Sequence, residues 1–244
     1  MTSGSRPRLY NELATWWPLF SGPAEYIEEA PEVLRLLLGA TPEPPRTVLE
    51  LGSGGGSLGS HLKAHFELTL SDLSEAMLAV SRTLNPECEH VQGDMRSVSL
   101  GRQFDRVVIH DAIMYLTDAD SVRAAVANAA RHCRPGGAVV LLPDCVKESF
   151  EPHTEHGGDD SPDGRGLRWL EWSWDPDPAD DQFVTVYSLV FREPNGAVHG
   201  ELDQHQLGLF PRAAWLEWLR AAGLSASTHA DPWRTDLFVG QKPP

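Results

Sequence analysis

The residues able to do chemistry in this 244-residue chain gather in a few short phrases. Residues 48–62 read VLELGSGGGSLGSHL: an apolar run carrying Glu50, then Gly52, Ser53, Gly54, Gly55 and Gly56, then an amphipathic stretch. A strand that ends in glycines and feeds a helix leaves backbone amides bare, so the chain can come close to a polar ligand there. Asp72 follows 20 positions after Gly52, at the end of another apolar run. That is the spacing at which a carboxylate reaches ribose hydroxyls. Asp94 and Met95 close a third run, placing an acceptor for an amino group beside a thioether suited to a purine face. His110 and Asp111 close a fourth, on the opposite wall. Gly54, Gly56 and Gly59 also satisfy G-x-G-x-x-G, so a dinucleotide enzyme is a rival reading. Glu50 opposes it, because a carboxylate before the first glycine repels a pyrophosphate and suits a cation.

These phrases sit at the ends of elements that alternate. RTVLELG, FELTLSD, CEHVQGD, FDRVVIHD and GAVVLLPD read as strands, with SEAMLAVSRTL and DADSVRAAVANAARHC as helices between them. Such alternation specifies an α/β fold with a doubly wound, mostly parallel sheet, whose ligand lies beyond the carboxyl ends of the strands. Residues 1–45 read as an N-terminal helical cap, AEYIEEAPEVLRLLLGA having helical spacing, and residues 46–145 as the binding core. Residues 146–210 read as an acidic, Trp-rich lid followed by a β-hairpin, its turn marked by Asn195-Gly196. Residues 211–244 supply a helix, PRAAWLEWLRAAGL, and a last strand, TDLFVGQK.

Composition removes several partners. A net charge of −15 and a pI near 5.0 disfavour nucleic acid and anionic membrane surfaces, which need clustered Lys and Arg. No apolar run is long enough to span a bilayer, and MTSGSRPRLY has no signal-peptide core. Cys88, Cys133 and Cys145 are scattered and odd in number, which suits a reducing cytoplasm. The chain is expected to act as a cytoplasmic monomer or homodimer.

Glu50, Gly52, Gly54, Asp72 and Asp94, with CRPGG before the fifth strand, resemble the class I S-adenosylmethionine-dependent methyltransferases, whose fold is a Rossmann-like sheet. The likeness covers about residues 48–143. It implies that Gly52, Ser53 and Gly54 approach the methionine part of the donor and that Glu50 places its ammonium. It further implies that Asp72 takes the ribose hydroxyls, that Leu73 and Met77 contact the adenosine, that Asp94 and Met95 meet the adenine, and that His110 lies near the methionine part or takes a catalytic role. LYNEL, GDMRSVSLGRQFDRV, IMYL and DQHQLGLF resemble, more narrowly, the small-molecule N-methyltransferases of nucleotide-linked amino sugars.

That resemblance implies a small-molecule amine acceptor, with Tyr115 facing the nucleophile and Tyr10, Trp16 and Trp17 walling off the site. His205 is expected to face the acceptor from a strand. Residues 146–182 carry eleven Asp or Glu against three Lys or Arg, and Trp169, Trp172 and Trp174 lie among them. An aromatic face beside carboxylates attracts cations, which makes Trp172 a candidate acceptor contact, the rival being a packed core under a solvated loop. His153, His156 and Asp159 raise a metal question, and the reading adopted is no metal. O-methylation, or a non-catalytic S-adenosylmethionine-binding module, remains the alternative function.

Overall fold

The structure is a computed structural model that describes residues 7–232 and 236–244; the opening MTSGSR phrase and Thr235, with which the last predicted strand begins, lie outside the described residues. Five parallel strands form the centre: β1 (Thr47–Leu51), β2 (Glu67–Asp72), β3 (Glu89–Gln92), β4 (Phe104–His110) and β5 (Cys133–Leu142). Helices α3 (Ser57–Leu62), α4 (Glu75–Leu84) and α5 (Ala119–His132) alternate with them. Two late strands, β10 (Ser225–His229) and β11 (Leu237–Gln241), extend the sheet antiparallel after helix α6 (Arg212–Ala221). The seven run β10-β11-β5-β4-β1-β2-β3, so the order reverses between β1 and β4. That switch point is where the carboxyl ends of the strands stay uncovered.

Both faces of this sheet are buried, which is why its strands read as nearly continuous apolar runs. Leu49, Leu51, Val107 and Ile109 pack with residues of α5 and α6, while Val48, Val108 and Val140 pack with residues of α3 and of α2 (Glu29–Gly39). Chain entry is more broken than the predicted helical cap. It consists of 3-10 turns at Arg8–Tyr10, Ala14–Trp16 and Pro23–Tyr26, a one-turn α1 (Trp17–Phe20), and then α2. Ser74, the N-cap of α4, accepts from Met77 N and donates to Tyr10 O at 2.5 Å, which clips the entry segment onto the sheet layer.

The segment read as a lid is instead sheet. Residues 146–210 form a separate antiparallel sheet of β6 (His153–Gly157), β7 (Gly166–Trp174), β8 (Gln182–Arg192) and β9 (Val198–Gly208). The β8–β9 pair turns at Asn195-Gly196 as the sequence indicates. In β7, side chains alternate, so Trp169, Glu171 and Ser173 share one face and Leu170, Trp172 and Trp174 the other. The first face is turned toward the carboxyl ends of β1 and β4, and one cavity fills the space between.

One charged residue interrupts the apolar strands. Arg106 of β4 is fully buried, and its guanidinium donates to Leu37 O (2.8 Å), Asp105 O (2.9 Å), Thr41 Oγ1 (2.8 Å) and Glu43 O (3.0 Å). It ties the end of α2 and the linker behind it to the sheet. Arg106→Ala leaves these acceptors unpaired around a cavity, so urea unfolding is expected to show a loss of about 3–5 kcal/mol. Exposed Arg123→Ala is expected to change stability by less than about 0.5 kcal/mol.

Candidate active site

The donor half is built at the end of β1. Gly52 N and Ser53 N both donate to Ser71 O of β2, at 2.7 and 2.9 Å, folding the glycine loop back over the neighbouring strand. Gly52 has φ +79°, and a Cβ there would stand 2.4 Å from Ala112 Cβ, so both conformation and space require glycine. A Cβ on Gly55 would stand 2.2 Å from the indole of Trp17, which lies directly on the loop. Asp72 accepts from Gly54 N (2.9 Å) and Ser74 N (2.8 Å), bracing the loop against the start of α4. Burial pushes its carboxyl up, and the backbone bonds from Ser74 and Gly54 partly restore it.

Glu50 is 2% exposed, and neither its Oε2 nor the buried Oγ of Ser53 has a hydrogen-bond partner. Burial pushes Glu50 up to about 7; nearby His110 opposes the shift, and Asp72 and Asp111 add to it. His110 Nε2 lies 2.8 Å from Glu29 Oε1, and its Nδ1 lies 3.1 Å from Asp111 Oδ2. Asp111 has φ +36°, the one positive value outside glycine among the described residues, and this turn sets its carboxylate beside the imidazole. His110 thus has its side chain committed to two carboxylates. Glu29 is the member of this cluster that sequence reasoning missed; it lies 81 residues away in no motif.

Leu73 and Met95 line the cavity. Asp94 does too, but its carboxylate is engaged in a fork with Arg96, at 2.9 Å from Nε and 2.5 Å from Nη2. Met77 does not reach the cavity; it is fully buried beneath the glycine loop, where the apolar face of α4 packs, so it supports Gly54 from below rather than contacting a ligand.

The cavity measures about 1500 Å³ and continues from Glu50 and Gly52 past Tyr10, Trp17 and Tyr115 to the inner face of the second sheet. There it meets Glu155, Glu171, Phe183, Thr185 and Tyr187, with Asp144 and Glu151 on the connection into β6. Tyr10 and Tyr115 stand between the two halves with hydroxyls 2.7 Å apart. Burial pushes both phenols far up, so both are neutral hydroxyls.

Three expected acceptor residues stand elsewhere. Trp16 faces away from the cavity, packed on Phe191 at 4.8 Å, because adjacent positions of the entry segment point to different sides and Trp17 takes the inner one. Trp172 is 55% exposed on the outer face of β7, 4.7 Å from Trp174, so the strand's alternation removes it from the site. His205 does not line the cavity: it is wholly buried behind Tyr115, with Nδ1 2.7 Å from the Tyr115 hydroxyl. Asp175, Asp177, Asp180 and Asp181 occupy the exposed turn between β7 and β8 and line nothing, so the acidic lid is absent; Glu155 and Glu171 face the cavity instead. His153 and His156 alternate to opposite faces of β6, and no group of three His, Cys, Asp or Glu among the described residues is placed to hold a metal.

A sheet of this order with a glycine loop after β1 and a carboxylate ending β2 defines the Rossmann-like methyltransferase class. A methyltransferase-domain family profile matches residues 48–137. Over 219 residues the chain is 32% identical to the dTDP-3-amino-3,4,6-trideoxy-alpha-D-glucopyranose N,N-dimethyltransferase of Streptomyces venezuelae, covering 88% of this chain and 91% of that one. Its fold matches the sugar N-methyltransferase KedS8 of a Streptoalloteichus species (TM-score 0.83, 26% identity, 100% and 96% of the two chains). It also matches S-adenosylmethionine-bound CalS10, an amino pentose methyltransferase of Micromonospora echinaspora (TM-score 0.75, 25% identity, 89% and 91%). The chain belongs to the class I S-adenosylmethionine-dependent methyltransferases of the amino-sugar type. No helix among its described residues is long and apolar enough to cross a membrane.

The site residues fit this cofactor, which supplies an activated methyl group when bound. An ammonium beside Glu50 is stabilised by the carboxylate form, which is the minority below about pH 7. Calorimetric affinity for S-adenosylhomocysteine is therefore expected to rise about tenfold per pH unit up to about pH 7 and then level off. Glu50→Gln is expected to flatten that dependence. Without ligand the sign reverses: a carboxyl whose folded value exceeds its unfolded one loses stability as pH climbs from about 4.5 to 7.

Proposed function

We propose that this enzyme methylates the amino nitrogen of a deoxy amino sugar of the kind named for its relatives, in secondary metabolism of the cytoplasm. In this reading Glu50 and Ser53 receive the donor's ammonium, Asp72 its ribose, and Leu73, Asp94 and Met95 its adenine end. Residues 46–145 hold the donor, residues 146–210 form the acceptor wall, residues 1–45 close the cavity over both, and residues 211–244 complete the main sheet.

The observation that carries it is the junction. The neutral Tyr10–Tyr115 pair lies where donor and acceptor halves meet, in a cavity whose acceptor half includes Asp144, Glu151, Glu155 and Glu171. Carboxylates draw in an ammonium, and uncharged phenol oxygens then accept from its N–H groups without fixing it as a cation. Positioning and exclusion of water supply most of the remaining rate, since the methyl group is already activated.

Transfer of labelled methyl from S-adenosylmethionine to dTDP-linked 3-amino and 4-amino deoxy sugars, to the same sugars freed of nucleotide, and to their hydroxy counterparts tests this. Mass spectrometry is expected to place the label on nitrogen; turnover of a hydroxy sugar faster than every amine would establish O-methylation instead. In the same assay Glu171→Gln is expected to raise the acceptor KM roughly five- to thirtyfold through loss of a cavity charge, about 1–2 kcal/mol. Trp172→Ala, on the outer face, is expected to leave KM within about twofold.

A further inference from the structure

Behind the Tyr10–Tyr115 pair runs a buried polar line that the methyl-transfer site does not account for. Tyr115 Oη is 2.7 Å from His205 Nδ1, and His205 Nε2 is 3.1 Å from Asp203 Oδ2. The same Asp203 oxygen accepts from Leu9 N at 2.7 Å. Asp203 and His205 alternate onto one face of β9, and their side chains are 7% and 0% exposed. Leu9 N brings the entry segment into the line, so the residue after it, Tyr10, is held at the cavity by the carboxylate that also anchors His205.

The polarity of this line follows from its buried end. Despite the cost of burial, Asp203 sits below the usual carboxylate range, because His205 and the Leu9 amide stabilise its ionised form. His205 Nε2 meets this carboxylate as a close charge contact at 3.1 Å, without the alignment of a hydrogen bond, and an ionised carboxylate there favours the proton on Nε2 by attraction, which leaves Nδ1 as the acceptor. Tyr115 must then donate to Nδ1, and Tyr10 must donate to Tyr115. The groups packed around the ring are Tyr10 at 5.7 Å, Tyr115 at 5.7 Å and Tyr187 at 4.9 Å between centroids, with Asp203 on its own strand. Asp144 and Glu171 act on it through these phenols, whose ionisation they oppose. Among the described residues, Tyr115 is the group that hydrogen-bonds Nδ1.

We propose that Asp203, His205 and Tyr115 form a proton relay that takes one proton from the acceptor's ammonium inside the cavity, an inference that rests on the amine reading above. The ammonium N–H bond breaks and its proton passes to the Tyr115 oxygen as the Tyr115 O–H proton passes to His205 Nδ1. The nitrogen keeps the bonding pair as a free lone pair, Tyr115 remains neutral, and the charge moves to an imidazolium beside the Asp203 carboxylate. Methyl transfer requires that lone pair. After products leave, the proton returns through Tyr115 to water. Tyr115 is the catalytic group; His205 and Asp203 act through it and are positioning residues.

The decisive measurement is made on wild type bound to S-adenosylhomocysteine, with 15N-labelled histidine and no acceptor. The His205 resonances, assigned by loss in His205→Gln, are expected to show a protonated Nε2 and an unprotonated Nδ1. In Asp203→Asn the amide oxygen takes the position that accepts from Leu9 N and faces Nε2, so the tautomer is expected to be retained, whereas Asp203→Leu, which removes the acceptor, is expected to abolish the preference for Nε2. With an amine acceptor, Asp203→Asn and His205→Gln are expected to lower kcat about 10- to 100-fold at pH 6.5 while leaving donor KM and S-adenosylhomocysteine affinity within twofold. The deficit is expected to shrink toward the acceptor's own pKa, where the amine enters already neutral. A deficit equal at every pH, wild-type kcat in both variants, or a proton on Nδ1 in wild type each overturns the relay. The NMR result decides its polarity even if no amino sugar is turned over, so failure of the acceptor assignment is read separately.

Discussion

The site depends on a carboxylate buried where no hydrogen bond serves all of it. Glu50 ends the central strand at the switch point, and placing its charge there costs several kcal/mol unless something positive comes near. His110 opposes that cost, and Glu29 and Asp111 each face one of its ring nitrogens. Three carboxyl groups, Glu50, Glu29 and Asp111, surround the one imidazole, so acidic groups are in surplus there. Such a surplus is compatible with a positively charged ligand and opposes an anionic one, and the turn at Asp111, with φ +36°, contributes to it. It also explains why a glycine loop so like a dinucleotide fingerprint does not suit a pyrophosphate.

The two sheets divide the work according to how each is buried. The parallel sheet is covered on both faces, so its chemistry is confined to strand ends and the loops that follow. The antiparallel sheet has one solvated face and one turned inward, so side chains at alternate positions of its strands, such as Glu155, Glu171, Thr185 and Tyr187, reach the cavity. This is why a polar line such as Asp203–His205 can sit buried in β9 while its neighbours Leu202 and Gln204 are exposed. The entry segment joins the two: Tyr10 O accepts from Ser74 at the start of α4, and Leu9 N donates to Asp203 of β9. Donor and acceptor walls are thereby held in one register by two adjacent residues.

How much of this could be read in the sequence follows from the same division. The strands of the core are legible because burial on both faces makes them apolar runs, and their ends carry Gly52, Asp72, Asp94 and His110 at distinctive positions. β6 and β7 were obscured because HTEHG and LRWLEWSW carry charge and Trp where β-branched runs are expected. Yet the alternation in WLEWSW holds the phase that separates Trp169 and Glu171 from Trp172. Trp16 and Trp17 could not be told apart, since they belong to a 3-10 turn and a short helix with no long period. Glu29 could not be found at all, because only the packing of α2 over the sheet brings it to His110. Asp203 had a signal: the DQH phrase on a strand puts its Asp and His on one face.

An amine acceptor makes opposite demands on its surroundings. It is drawn into an acidic cavity as a cation, but it reacts through a lone pair that the cation lacks. A carboxylate in direct contact with the nitrogen would satisfy the first demand and defeat the second, since it stabilises the ammonium. The structure separates the two in space: Asp144, Glu151, Glu155 and Glu171 lie along the cavity wall, while neutral phenols stand at the junction with the donor half. The carboxylate that can compensate a displaced proton, Asp203, is set two side chains behind Tyr115, out of contact with the cavity. Attraction and reactivity are thus assigned to different residues by the pleat of one antiparallel sheet and the turn that carries Tyr115 against it.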